Sequence, residues 1–107
     1  MSFEKVGDVL VAQGTLPEAL KSYRDSLAIR DRLGKIDPGN AGWQRDLAIS
    51  FAKVGSVLLR QQHPDEARPA LVAGREIIVG LMKRLPGYPQ LKQDLAWFDG
   101  TIAGMNH

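Results

Sequence analysis

Two histidines and a few serines are the residues of this 107-residue chain that enzyme chemistry would have to recruit. His63 stands before Pro64 at the start of a helical pattern, a setting for a turn or cap residue rather than a general base. His107 is the last residue, where chain ends fray. Ser2, Ser22, Ser26, Ser50 and Ser56 fall at helical positions without a base spaced to activate them. With no cysteine there is no disulfide, thiolate metal site or thiol nucleophile. Neither a glycine-rich phosphate loop nor a pair of carboxylates in contrasting settings is legible. The expectation is a protein that is not an enzyme and uses no metal or cofactor.

Charge suggests binding instead. The net charge is +2, but the signs interleave. Lys21 with Asp25, and Asp31 with Lys35, are spaced four apart, so on a helix they are surface neighbours of opposite sign. The densest basic cluster, Lys83-Arg84, reads as a solvated face rather than a phosphate stripe, so nucleic acid is not an expected partner. Trp43 and Trp97 read as core residues or wedges between repeats.

These side chains must be positioned by helices. Hydrophobic residues make up 44% and charged residues 24%, an ordinary globular balance. The start, MSFEKVGDVL, does not read as a signal peptide, and no apolar run approaches the ~18 residues of a membrane span. A cytoplasmic protein without membrane partners is expected. Trp43, Leu47, Phe51, Val54 and Leu58 recur in steps of three and four, as do Leu16, Leu20, Tyr23 and Leu27, then Leu91, Leu95, Phe98 and Ile102. Nothing alternates with period two. The pattern predicts an all-α chain with helices near 2–13, 17–35, 42–61, 65–84 and 89–104.

The chain also repeats itself. GDVLVAQGTLPEALKSY, residues 7–23, returns 48 residues later as GSVLLRQQHPDEARPAL, residues 55–71. The same shift places Pro38-Gly39 on Pro86-Gly87 and Asp46-Leu47-Ala48 on Asp94-Leu95-Ala96. Thr15-Leu16-Pro17-Glu18 reads as a capping box with proline at the first helical position, and Asn40 as a cap for the next helix. Gln62 replaces Gly14, so the second inter-helix turn is expected to differ from the first. Pro69 falls inside a helix and predicts a bend, or a start delayed towards it. A glycine within a helix costs about 1 kcal/mol relative to alanine. Gly7 and Gly55 therefore call for a close helix crossing, with Ala19 and Ala67 as the facing small residues and larger neighbours beside them.

At these positions the chain resembles the tetratricopeptide repeat, marked by an aromatic-x2-L-G-x2-Y segment followed by A-x3-F. The first unit has Phe3, Val6, Gly7, Leu10, Ala19 and Tyr23 in those places, and the second has Phe51, Val54, Gly55, Leu58, Ala67 and Leu71. The period of 48 exceeds the family's usual ~34. The resemblance implies an α-solenoid of antiparallel hairpins, with repeats at 1–39 and 40–87 and a final helix in 88–107. It implies a protein-interaction scaffold whose concave face is lined by the first helix of each pair. Those positions are Glu4, Lys5, Asp8, Val11 and Ala12, then Ala52, Lys53, Ser56, Leu59 and Arg60. Lys5, Asp8, Lys53, Ser56 and Arg60 are the candidate partner-binding side chains, for a protein or peptide ligand. Some members hold a peptide's terminal carboxylate with lysine, arginine and asparagine; no asparagine stands on this face, so that clamp is not implied. Apolar surface at the two ends of a short array gives a second expectation, self-assembly into a homo-oligomer.

Overall fold

The computed structural model describes residues 3–105, with side chains from Lys5 onward. Phe3 and Glu4 therefore enter only through their backbone, and His107 lies outside the described residues. Five helices follow one another: α1 (Phe3–Ala12), α2 (Leu16–Ile36), α3 (Ala41–Arg60), α4 (Pro64–Arg84) and α5 (Pro89–Gly104). There is no strand among the described residues, and no helix there is long and apolar enough to cross a membrane. Each helix packs on the next along the chain.

The duplication is written into the backbone. The ends of α1 and α3, the starts and ends of α2 and α4, and the starts of α3 and α5 are each 48 residues apart. Hydrogen bonds of the turns recur at the same shift. Thr15 N–H donates to the Leu10 carbonyl and Gly14 N–H to Val11, while His63 donates to Leu58 and Gln62 to Leu59. Both turns are Schellman closures, which satisfy the last carbonyls of a helix through a residue in the left-handed region. Gly14 sits there at φ 79°, and Gln62 adopts φ 64°. The second turn is thus the same turn as the first, against the expectation from its sequence, because the two closing bonds outweigh the cost of placing a Cβ in that region. That cost is about 1 kcal/mol. Gln62→Gly should therefore raise stability by about 1 kcal/mol, read as a higher urea midpoint with unchanged slope.

Of the other local expectations, the Asn40 cap holds, while the Thr15 cap and a delayed start of α4 do not. The Thr15 hydroxyl donates to the Leu10 carbonyl at 2.9 Å instead of capping α2. The closure of the preceding turn claims it, and Pro17 stands second in the helix, not first. Asn40 does cap α3, its side chain accepting from Trp43 N–H at 3.0 Å. Finally, α4 begins at Pro64 and runs through Pro69. It is not delayed towards Pro69, because the carbonyl of Asp65, deprived of its usual donor by the proline, belongs to an exposed residue in the first turn and meets water.

The core joins Tyr23, Ala48, Val54, Val57, Leu58, Ala67, Leu71, Ile78, Leu81, Leu91 and Phe98, all at least nine-tenths buried. Gly7, Ala19, Tyr23, Gly55 and Ala67 are all buried, Ala19 and Ala67 completely. The alanine is not what stands nearest either glycine, however. A Cβ at Gly7 would stand 2.5 Å from the Tyr23 ring, and one at Gly55 would stand 2.7 Å from the Leu71 side chain. Each glycine is a socket for the large residue four positions beyond the alanine, which covers the crossing instead of flanking it. A third socket, absent from the sequence expectations, is Gly74, where a Cβ would meet the Phe98 ring at 2.5 Å and the Ala48 carbonyl oxygen at 3.1 Å.

Candidate binding groove

The odd-numbered helices share more than their order. Arg45 of α3 donates twice to Asp94 of α5, from Nε at 2.8 Å and from an Nη at 3.2 Å, with both side chains mostly buried. Such a bidentate pair fixes orientation as well as distance. On the other side of α3, Lys53 donates to Asp8 of α1 at 2.8 Å. The Tyr23 hydroxyl donates to the same carboxylate oxygen, and the Lys53 ammonium lies 5.6 Å from the Tyr23 ring centre.

Lys53 also lines a groove of about 300 Å³. Its floor and one wall come from α3, through Ile49, Ala52, Lys53, Ser56, Val57 and Arg60. Val11 of α1, Tyr23 of α2 and Trp97 of α5 complete the lining. Residues 49, 53, 56 and 60 form one stripe along a helix. Leu47, Val54 and Leu58, which are buried residues of α3, stand outside this lining. The lining is largely apolar, with polar groups at a few points, which is the usual make-up of a binding cleft.

Of the residues singled out from sequence, Lys53, Ser56 and Arg60 are brought together in this groove. Asp8 stands at its edge, bound to Lys53 and Tyr23. Lys5 is exposed and outside the lining. Ile49 and Trp97, one period apart, also line it, though neither was expected on the binding face. Trp97 is neither a core residue nor a buried wedge: it is 43% exposed, because Phe98 takes the inward position and receives the indole edge-to-face at 5.2 Å. The signal was present in the stripe Leu91, Leu95, Phe98, Ile102, which skips Trp97 and leaves it on another face.

Asp8 gives this site a pH dependence. Partial burial pulls its carboxyl upward, but the hydrogen bonds from Lys53 and Tyr23, with the Lys53 charge, outweigh that and hold it below the usual carboxylate range. A carboxyl depressed on folding adds stability above its unfolded pKa and loses it as pH falls through the folded one. Wild type should exceed Asp8→Asn in stability at pH 7, by less than about 1 kcal/mol since the pair is half exposed. Urea titrations at pH 7 and at about pH 2 should show that difference closing in acid.

His63 lies at the exposed start of α4, 4.0 Å from Glu66, outside the groove. Among the described residues no three of His, Asp and Glu are grouped to hold a metal ion. The chain matches no protein-family model, no curated protein and no solved structure.

Proposed function

We propose that this chain is a non-catalytic interaction module of the tetratricopeptide type, in which helical hairpins stack as a short solenoid and hold a peptide or protein. The groove along α3 is the observation that carries the reading. Side chains of three helices that stand first in successive units meet there in one apolar trough, which supports the reading because solenoid repeats bind partners on a surface shared by successive units. Work in the cytoplasm, without nucleic acid, suits the interleaved charge. The test is selection of peptides from an unbiased display library on the immobilised chain. Ser56→Tyr fills the groove without altering charge, and its circular dichroism melt shows whether it stays folded. Selected peptides should bind wild type and lose binding to the filled variant. Peptides indifferent to the filling would overturn the proposal.

Exposed Trp97 supports a second reading, self-assembly of copies through this end of the molecule. Light scattering across a concentration series decides it: a dimer that Trp97→Lys dissolves supports assembly, and a monomer throughout removes it.

A further inference from the structure

The groove has two unlike ends. At one end stand Ile49 and Trp97, an aliphatic and an aromatic side chain on neighbouring helices. At the other stands Arg60, eleven residues further along α3 and therefore about 16 Å away at the helical rise. The two cations of the lining, Lys53 and Arg60, differ in what they meet. Lys53 is tied to Asp8, and on the flank Arg45 is tied to Asp94. Arg60 is exposed and makes no ion pair among the described residues. The two units therefore differ in charge on this face: Asp8 of the first corresponds to Ser56, and Ala12 to Arg60. A guanidinium beside apolar walls binds a carboxylate through paired hydrogen bonds, more strongly than it would in open water.

Resting on the groove being the binding surface, we infer that its occupant is an acidic peptide segment: an apolar side chain seats between Ile49 and Trp97, and an internal Asp or Glu lies about 16 Å further on against Arg60. The volume of about 300 Å³ suits a few side chains of such a segment, not the face of a folded domain. The electrostatic part supplies specificity and the apolar part supplies most of the affinity.

The test uses the peptides selected in the display experiment, resynthesised with amidated C-termini so that only side-chain carboxylates are available. Affinity for wild type, Arg60→Glu and Ser56→Tyr is measured by fluorescence anisotropy. The selected peptides should carry an acidic residue spaced from an apolar one. Arg60→Glu should weaken them at least tenfold and should favour versions whose acid is replaced by lysine. Glutamine in place of the acid should weaken wild-type binding but improve binding to Arg60→Glu, where it removes a like-charge repulsion. Peptides that depend on an open groove yet show no acidic preference, or are indifferent to Arg60→Glu, would overturn this inference and leave the interaction module standing. Peptides that ignore Ser56→Tyr would overturn both. A dimer whose interface occupies the groove would replace the peptide with a second copy and likewise overturn the inference.

Discussion

Gly55→Leu should lower stability by roughly 2–3 kcal/mol, a fall in melting temperature on the order of 10–20 °C for a domain of this size. The first atom of the new side chain already stands 2.7 Å from Leu71, and Leu71 is completely buried, so it has no solvent to retreat into. Alanine at this position isolates the cause. Helix propensity alone favours Gly55→Ala by about 1 kcal/mol, whereas the socket predicts a net loss. Combining Gly55→Ala with Leu71→Ala should recover part of what each loses singly, because truncating Leu71 opens the space that the new methyl needs. Strict additivity in that cycle, followed by denaturant titration, would show that the two residues do not press on each other.

Gly74→Leu should cost more, about 3 kcal/mol or above, because one of its two walls is backbone. The Ala48 carbonyl of α3 cannot rotate away, and the Phe98 ring of α5 is almost wholly buried. The expected response is release of α5 from α4 before the remainder melts. In a Trp43→Phe background Trp97 reports this directly, since its ring leans on Phe98: its fluorescence should change at a lower denaturant concentration than helical circular dichroism does. Gly80, on the same helix, has open space where a Cβ would go. Gly80→Ala should therefore stabilise by about 1 kcal/mol. Opposite signs for Gly74 and Gly80 are the distinguishing result. A Gly74→Leu variant as stable as wild type would mean that α5 does not sit where the Phe98 contact places it.

Arg75 and Asp99 tie the same two helices at 2.5 Å from the solvent side, but an exposed pair of this kind contributes little. The junction of α4 with α5 rests on Gly74 and Phe98, and neither residue repeats. The first unit has Ser26 and Ser50 in those places. There the helices are joined differently: Arg30 of α2 donates to the Ser50 hydroxyl at 2.9 Å and to the Asp46 carbonyl at 3.2 Å.

The sequence by itself determined the helices, because a period of 3.6 and the turn residues are local properties. Leu47, Val54 and Leu58 announced their helix and its buried face, and Asn40 announced its cap. It also determined the duplication, since the 48-residue shift is visible in the letters and every helix boundary with a counterpart obeys it. Lys53, Ser56 and Arg60 could be placed on one helical face by counting alone. Tertiary structure decided what each small residue faces. A glycine states that space is short but not what fills it, and Tyr23, Leu71 and Phe98 come from other helices. It decided the second turn as well, where two backbone bonds hold Gln62 in a conformation its side chain disfavours. The groove is likewise tertiary. Val11, Ile49 and Trp97 are far apart in the chain, and only the packing of α1, α3 and α5 gives them a common space.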